Sequence, residues 1–448
     1  MKNLAVVVMA AGMGTRMKSK TPKVLHPLLE KPLLWHVLQA VFALQPAKTV
    51  VVVGHQSEQV QARFTNQADF VVQSPQLGTG HAVQQARKVL GDHLDTVLVV
   101  PGDLPLLSGD TFRRMRDTFD PTLGPMLMLT VTRDNPQGFG RIVRDEAGFV
   151  SAIVEEADCT PEQKAIRELN VGAYIFNAQW LWQNLPRIPV SAKGEYYLTN
   201  LVGIAVSQGY RVQAVQVDNP AETLGVNTRA HLAQAESVLR QQVNQKWMEA
   251  GVTLVDPNTT YIGLDVTIGQ DTVIYPNTYL LGQTTIGEDC EIGPNSYIID
   301  STVGNGCQVR FSVVEQAVME NNVDIGPFAH LRKGAHLAEG VHMGNFGEVK
   351  NAYLGPGTKM GHFSYLGDIT TGKNVNIGAG TITCNYDGVK KNPTVIGDNA
   401  FIGSDTMLVA PVKIGNNART GAGSVVTRDI PDDALAYGVP ARVKSEKK

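Results

Sequence analysis

A step of six residues repeats through the second half of the chain and constrains its fold more than any other feature. Aliphatic residues followed by glycine mark the step first, and single aliphatic or small residues continue it later. The longest unbroken run consists of Ile396, Ile402, Leu408, Ile414, Thr420 and Val426. Three such hexads complete one triangular coil of a parallel β-helix. We therefore predict a left-handed parallel β-helix over residues 251–448.

The same six-residue spacing predicts where the cysteines and histidines of this half lie. Cys290 and Cys307 fall in a slot that takes small residues, which predicts a structural role for both thiols. None of the four cysteines belongs to a C-x-x-C pair, so neither a zinc ribbon nor a redox motif is indicated. His330, His336 and His342 are spaced by six, so they should point from three different faces. A metal cluster of these histidines is therefore not expected.

The repeat is interrupted between Ile377 and Ile396. The spacing of these two residues exceeds the length of one full coil by one residue. The interrupting segment, residues 384–394, contains Asn, Asp, Gly and Pro. A loop that leaves a regular solenoid is where function is expected. His362 lies near this break, and a neutral imidazole can take a proton from an attacking amine.

The first half follows a different pattern, in which short apolar runs alternate with helical segments. The apolar runs, typical of strands buried on both faces, are residues 4–10, 49–55, 69–73 and 96–103. Helical segments such as 32–44 and 80–90 lie between them. The alternation predicts an α/β domain with an open, parallel, Rossmann-like sheet over residues 1–227. Residues 228–250 lack Pro and Gly and predict an amphipathic linker helix.

Glycine, two cations and an acid follow the predicted strands. Gly12 and Gly14 form a loop after the first strand, where backbone N–H groups can approach phosphates. Arg16 and Lys23 follow closely, and two cations suit a triphosphate. Asp103 follows another apolar strand, at the edge where open α/β sheets bind ligands. We predict that it binds Mg²⁺ rather than capping a helix.

Bulk properties argue against two kinds of partner. With 39 basic and 42 acidic residues, the formal charge of −3 gives no general attraction for nucleic acid or anionic membranes. No apolar stretch approaches the ~20 residues of a membrane span. The N-terminus also lacks the long apolar run and cleavage site of a signal peptide. We expect a cytoplasmic protein that binds neither nucleic acid nor membrane.

The motifs together resemble a known family. The segments G-x-G-T-R-M (12–17), P-K (22–23), G-T-G-H-A (78–82) and G-D-x-P (102–105) resemble sugar-1-phosphate nucleotidyltransferases. With the β-helix, nearly all 448 residues are similar to the bacterial bifunctional N-acetylglucosamine-1-phosphate uridylyltransferase/glucosamine-1-phosphate N-acetyltransferases. The resemblance implies acetylation of glucosamine-1-phosphate by acetyl-CoA, then uridylyl transfer from UTP with release of pyrophosphate. The product, UDP-N-acetylglucosamine, would feed peptidoglycan and lipopolysaccharide precursors.

The resemblance also implies roles for single residues of the uridylyltransferase. Arg16 and Lys23 would act in catalysis, and Asp103 and Asn227 would bind Mg²⁺. The residues that would contact UTP are Gly12, Gln73, Gly78, Thr79, Pro101 and Gly102. The residues that would contact N-acetylglucosamine-1-phosphate are Gly140, Glu155, Asn170, Tyr197, Thr199 and Asn227.

In the acetyltransferase, the resemblance implies that His362 is the base that frees the amine of glucosamine-1-phosphate. The residues that would bind this sugar phosphate are Arg332, Lys350, Tyr365 and Asn376. The residues that would lie beside acetyl-CoA are Ala379, Asn385, Tyr386, Ser404 and Ala422. Members of the family are homotrimers that share this site between neighbouring β-helices, so a homotrimer is expected here.

Two other interpretations stay open. One is a monofunctional sugar nucleotidyltransferase of the ADP-glucose pyrophosphorylase type with a structural β-helix, against which His362, Asn385 and Tyr386 argue. The other is a non-enzymatic assembly subunit built from the same two modules. The complete phosphate loop, together with Asp103, argues against a degenerate site of that kind.

Overall fold

A mixed sheet runs through the first of two compact units, Met1–Leu239 and Arg240–Lys448. The structure is a computed structural model and describes residues 3–91, 93–136 and 138–445. In sheet order, the main strands are Gln213–Gln216, Met126–Thr132, Glu168–Asn177, Thr96–Pro101, Leu4–Ala10, Lys48–Val53 and Asp69–Val72. A hairpin of Arg141–Arg144 and Val150–Val154 attaches to Glu168–Asn177. A short pair, Pro27–Leu28 and Lys31–Pro32, lies apart from this sheet.

The central strands are buried because their side chains alternate between two apolar cores. Val6 and Val8 pack in one core, whereas Ala5 and Val7 pack in the other. The helices that accompany the sheet are Leu33–Phe42, Ser57–Arg63, Thr79–Leu90, Gly109–Thr118, Pro161–Lys164, Ala178–Asn184 and Asn200–Ser207. The sheet is Rossmann-like, as predicted.

Two details of the predicted sheet are wrong. The sheet is not parallel throughout, because Glu168–Asn177 runs antiparallel to both of its main neighbours. The chain reaches this strand through the hairpin of residues 141–154, which reverses its direction. The strand Asp69–Val72 is also not buried on both faces. It is the last strand of the sheet and has a single neighbour, so that Val72 remains 48% exposed.

The second unit is a parallel β-helix with three faces. The first face contains Thr253–Leu254, Val273–Ile274, Glu291–Ile292, Gln308–Val309, Asp324–Ile325, His342–Met343, Lys359–Met360, Asn376–Ile377, Phe401–Ile402, Arg419–Thr420, Leu435–Gly438 and Ala441–Ser445. The second face contains Thr260–Ile262, Thr278–Leu281, Tyr297–Ile299, Val313–Glu315, His330–Leu331, Gly347–Lys350, Ser364–Gly367, Ile382–Cys384, Met407–Val409 and Val425–Val426. The third face contains Thr267–Ile268, Thr285–Ile286, Thr302–Val303, Val318–Met319, Ala335–Leu337, Ala352–Leu354, Ile369–Thr371, Thr394–Ile396 and Val412–Ile414.

Aliphatic side chains at every sixth position fill the interior of this β-helix. Successive coils pair in parallel, which is consistent with the predicted left-handed β-helix, and only the terminal pair Leu435–Gly438 and Ala441–Ser445 among the described strands is antiparallel. One helix of 21 residues, Arg229–Glu249, occupies the predicted linker region, and Gly251 follows it with a φ of 94°. The limits of the domains stay a prediction.

The predicted placement of the β-helix cysteines and histidines is confirmed. Cys290 and Cys307 are buried in the interior. His330, His336 and His342 lie on the second, third and first faces, where each contacts a carboxylate of the preceding coil. No helix within the described ranges is both long and apolar enough to cross a membrane.

Candidate active sites

Lys23 belongs to a cluster of four polar side chains in the first unit. Its Nζ donates to Asp103 Oδ2 at 2.6 Å and to Asn227 Oδ1 at 3.1 Å. Arg16 Nη2 donates to the same oxygen of Asn227 at 2.9 Å. The structure therefore brings the predicted catalytic cations and the predicted metal ligands into one hydrogen-bonded network.

Local backbone geometry builds this network. Gly14 has a φ of 62°, and a Cβ at this position would lie 2.8 Å from Lys23 Cβ, so only glycine lets the loop pass so close to Lys23. Asp103 follows the strand Thr96–Pro101, and its carbonyl accepts from Val226 N at 2.9 Å. This backbone bond holds the segment of Asn227 beside Asp103. The alternative of a helix cap is excluded, because Ser108 caps the next helix.

The donor set of this network suits Mg²⁺. The oxygens of Asp103 and Asn227 converge on one ammonium nitrogen, so they can also converge on one small cation. Within the part of the chain that the structure describes, no group of three or more His, Cys, Asp or Glu side chains could hold a metal ion. Magnesium in proteins is usually held by one or two carboxylates together with phosphates and water. Asp103 and Asn227 fit that pattern.

A cavity of about 590 Å³ opens beside the network. The predicted residues that line it are Gly12, Lys23, Gln73, Gly78, Thr79, Pro101, Asp103, Glu155, Asn170, Tyr197 and Thr199. Gly102 and Gly140 bond to lining residues: Gly102 N donates to Met9 O, and Gly140 O accepts from Asn170 N, both at 2.9 Å. Arg16 and Asn227 connect to the cavity through Lys23.

The loop before the helix Thr79–Leu90 is held tightly and offers its backbone to the cavity. Buried Gln73 donates from Nε2 to Gly78 O at 2.9 Å. Thr79 Oγ1 accepts from Leu198 N at 2.9 Å. A Cβ at Gly78, whose φ is 94°, would lie 2.7 Å from Tyr196 O, so the close approach requires glycine.

At the other side of the cavity, polar groups suit a sugar. The pairing register of Glu168–Asn177 shifts between Asn170 and Tyr174. In this irregular stretch, Gly172 N donates to Asn170 Oδ1 at 3.0 Å, and the Asn170 amide bonds the Tyr174 hydroxyl at 2.8 Å. Burial, followed by the charge of Asp158, raises the pKa of Glu155 above its usual value. Amide and carboxyl groups of this kind can bond sugar hydroxyls.

Three polar residues that line this cavity are absent from the predicted site residues. Gln76 donates to the carbonyl of Ala11, and Glu195 and Tyr174 also line the wall. Glu195 directly precedes Tyr196 and Tyr197. Its closeness in sequence to Tyr197, a predicted sugar contact, was the only signal that could have indicated it. No signal in the sequence indicated Tyr174, because only the shifted register of the strand Glu168–Asn177 brings its hydroxyl to Asn170.

In the second unit, exposed His362 lies at the corner between the first and second faces. The residues at the same position of the next three coils are Ala379, Ser404 and Ala422. Backbone bonds fix this register, as between Asp405 N and Ala379 O at 2.6 Å and between Gly423 N and Ser404 O at 2.8 Å. A strip of small residues therefore leads away from His362 along the corner.

The cationic residues lie at the opposite end of the second face. Arg332 and Lys350 occupy equivalent positions of neighbouring coils. Asn385 Nδ2 donates to Asp368 Oδ2 at 2.6 Å and contacts the Tyr365 hydroxyl at 3.4 Å. The interrupting segment of residues 384–394 is called the inserted loop. The Asn385 amide thus links this loop to the second face, which carries Tyr365. We name the group formed by Arg332, Lys350, Tyr365, Asp368 and Asn385 the cationic corner.

The remaining predicted residues are placed apart from the cationic corner. Tyr386 is 61% exposed and donates from its hydroxyl to Gly388 O at 2.7 Å. Asn376 lies on the first face. The strand Ser364–Gly367 separates His362 from the cationic corner, and its 4 residues span about 13 Å. His362 therefore precedes this strand, whereas Lys350 lies beside Gly367 at its other end.

A Rossmann-like unit with a glycine loop after its first strand, followed by a hexapeptide β-helix, defines a transferase with two separate sites. A family model described as MobA-like NTP transferase domain matches residues 6–164. A second model, bacterial transferase hexapeptide (six repeats), matches residues 265–300 and 393–428.

Curated relatives match both units at once. The bifunctional protein GlmU of Fervidobacterium nodosum is 49% identical over 444 residues, which cover 99% of this chain and 96% of the relative. The protein of the same name from Heliobacterium modesticaldum is 47% identical over 437 residues, which cover 97% of this chain and 95% of the relative. That of Shouchella clausii is 43% identical over 441 residues, covering 98% and 97%. The chain belongs to this family of bifunctional GlmU proteins.

The predicted function is thereby confirmed. The chain is a bifunctional enzyme with uridylyltransferase and glucosamine-1-phosphate acetyltransferase activity. The alternative, a monofunctional nucleotidyltransferase with a structural β-helix, is not favoured.

Proposed function

We propose that the two sites act in sequence in the cytoplasm, where UTP and acetyl-CoA are available. The second unit acetylates glucosamine-1-phosphate with acetyl-CoA, and the first unit then joins the product to UMP from UTP. The network of Arg16, Lys23, Asp103 and Asn227 beside the large cavity carries this proposal. It gathers positive charge and metal ligands where the phosphates of UTP would lie.

A single assay tests the order of the two reactions. UDP-N-acetylglucosamine should form from glucosamine-1-phosphate, acetyl-CoA, UTP and Mg²⁺. Omission of acetyl-CoA should stop its formation, and added N-acetylglucosamine-1-phosphate should restore it. Equal product formation without any acetyl donor would contradict the proposed sequence.

The uridylyl transfer needs no covalent enzyme intermediate. An oxygen of the sugar phosphate attacks the α-phosphorus of UTP, and pyrophosphate leaves. Arg16 and Lys23 would neutralise the phosphate oxygens, and positioning with charge stabilisation would supply most of the rate enhancement. Mg²⁺ held by Asp103 and Asn227 would add further positive charge. Lys23 would then exchange its bond to Asp103 for bonds to phosphate.

The acetyl transfer requires groups that one chain holds apart. In glucosamine-1-phosphate, the amine and the phosphate sit on neighbouring carbons of one ring. His362 would take the proton of this amine, whereas Arg332 and Lys350 would bind the phosphate. About 13 Å of the strand Ser364–Gly367 separates their backbone positions within one chain. We therefore propose that neighbouring copies in a homotrimer complete each site.

Exposed phenylalanines support a contact between copies. On the side of His362 away from the small residues, the same corner carries Phe311, Phe328, Phe346 and Phe363 in successive coils. Their exposure ranges from 38% to 60%. Three of them, at residues 311, 328 and 346, have φ between 47° and 62°, a region that favours Asn and Gly. An aromatic row at such positions suits packing against a second copy.

Mixed oligomers test the shared site directly. His362→Ala and Lys350→Met should each abolish acetyl transfer in a pure oligomer, because every site lacks one group. When the two variants are co-expressed in equal amounts, random assembly should restore about a quarter of the sites. The measurement is the release of coenzyme A by the purified mixture. No recovery, despite demonstrated mixing of the subunits, would show that each chain uses its own two groups.

A further inference from the structure

Tyr174 is a buried tyrosine in the wall of the large cavity, and the uridylyl transfer proposed above gives it no role. The residue is 2% exposed, and its ring packs against Phe176 with the ring centroids 5.7 Å apart. Its backbone pairs with Val99 on one side and with Met128 on the other. The core of the first unit therefore holds this tyrosine in a fixed place.

The Tyr174 hydroxyl serves a single neighbour. It donates to Asn170 Oδ1 at 3.0 Å and accepts from Asn170 Nδ2 at 2.8 Å, and these are its only hydrogen bonds within the described residues. A regular strand would separate residues four apart by about 13 Å. The irregular stretch between the two residues, in which Gly172 has a φ of 89°, accompanies the return of the tyrosine side chain to Asn170.

The bonds around Asn170 fix the orientation of its amide. Gly172 N donates to Asn170 Oδ1 at 3.0 Å, so a reversed amide would set two N–H donors against each other. The amide nitrogen carries two N–H groups. In the part of the chain that the structure describes, Tyr174 is the partner of only one of them. Because Asn170 lines the cavity, the second N–H is available for an oxygen of a bound sugar.

We propose that Tyr174 is a positioning residue of the uridylyltransferase, and that it holds the Asn170 amide with one N–H group ready for an acceptor oxygen of the sugar. This inference rests on the proposed contact between Asn170 and N-acetylglucosamine-1-phosphate. Burial raises the pKa of Tyr174 above its ordinary value, so its hydroxyl stays protonated. An amide that is already oriented loses less freedom when the sugar binds.

Tyr174→Phe removes the hydroxyl and keeps the ring that packs against Phe176. The Asn170 amide must then be ordered by the sugar itself, so the KM for N-acetylglucosamine-1-phosphate should rise about fivefold. The KM for UTP and the kcat at saturation should stay within about twofold of those of the unmodified enzyme. Tyr210→Phe is the control, because Tyr210 is 47% exposed and is not among the residues that line the cavity. It should change none of these values.

A double variant separates a positioning role from a purely structural one. Asn170→Ala removes the amide that Tyr174 holds, so the addition of Tyr174→Phe should then raise the KM for the sugar phosphate by less than about twofold. A packing defect at Tyr174 would add its full effect whether or not the amide is present.

The measurement is pyrophosphate release, with N-acetylglucosamine-1-phosphate and UTP varied in turn. An unchanged KM for the sugar phosphate in Tyr174→Phe overturns the inference, and so does an equal increase with and without the Asn170 amide. An equal rise in the KM for UTP also overturns it, because that result indicates a displaced cavity wall. If Asn170→Ala alone leaves the KM for the sugar phosphate unchanged, the proposed sugar contact itself is wrong, and the inference falls with it.

Discussion

Asp103→Ala should abolish the formation of UDP-N-acetylglucosamine and leave acetyl transfer unchanged. The Asp103 carboxylate bonds Lys23 at 2.6 Å and is the charged member of the proposed metal-ligand pair. Without it, the amide of Asn227 alone is a weak ligand for Mg²⁺, which prefers carboxylates and phosphates. Loss of a preorganised electrostatic contact at a reacting phosphate lowers kcat by about 10²–10³-fold. The acetyltransferase residues all belong to the second unit, so coenzyme A release should not change.

A surface aspartate of the same unit gives the control. Asp110 is 86% exposed and forms its ion pair with Arg113 on the same helix. Asp110→Ala removes one carboxylate from that unit without touching the cavity, so both activities should persist. Pyrophosphate release and coenzyme A release are measured separately on each variant. Substantial uridylyl transfer by a folded Asp103→Ala protein, or loss of both activities, would count against two independent sites.

The β-helix could be predicted well because its repeat translates directly into geometry. A step of six residues corresponds to one face, so the spacing of His330, His336 and His342 already placed them on three faces. The same reasoning assigned a structural role to Cys290 and Cys307 and located the inserted loop. Each of these inferences depends only on counting residues along the chain, which requires no knowledge of how distant segments pair.

Contacts that depend on distant pairing could not be predicted in this way. The antiparallel direction of Glu168–Asn177, and the shifted register that brings Tyr174 to Asn170, follow from which strands become neighbours. Lys391 approaches Asp368 only because the inserted loop folds back on an earlier coil. His362 and Lys350 show the converse, since they are close in sequence but lie at opposite ends of one face.

His362→Ala should lower the rate of acetyl transfer by about 10²–10⁴-fold, the usual contribution of a general base. As the amine attacks the thioester carbonyl, the imidazole would accept its proton and pass it to the departing sulfur, so that coenzyme A leaves as the thiol. Uridylyl transfer to added N-acetylglucosamine-1-phosphate should continue at the rate of the unmodified enzyme. His336 offers the control, because it lies on the third face and bonds Glu320 at 2.7 Å. His336→Ala should keep both activities.

Added imidazole separates a missing base from a damaged fold. His362 is exposed, and the neighbouring corner positions hold the small side chains of Ala379, Ser404 and Ala422. A free imidazole molecule can therefore enter the space that the alanine leaves, and it should restore part of the acetyl transfer in His362→Ala. The same addition should not restore Lys350→Met, which lacks a phosphate contact rather than a base. Equal rescue of both variants, or unimpaired activity of His362→Ala, would remove His362 from its proposed role.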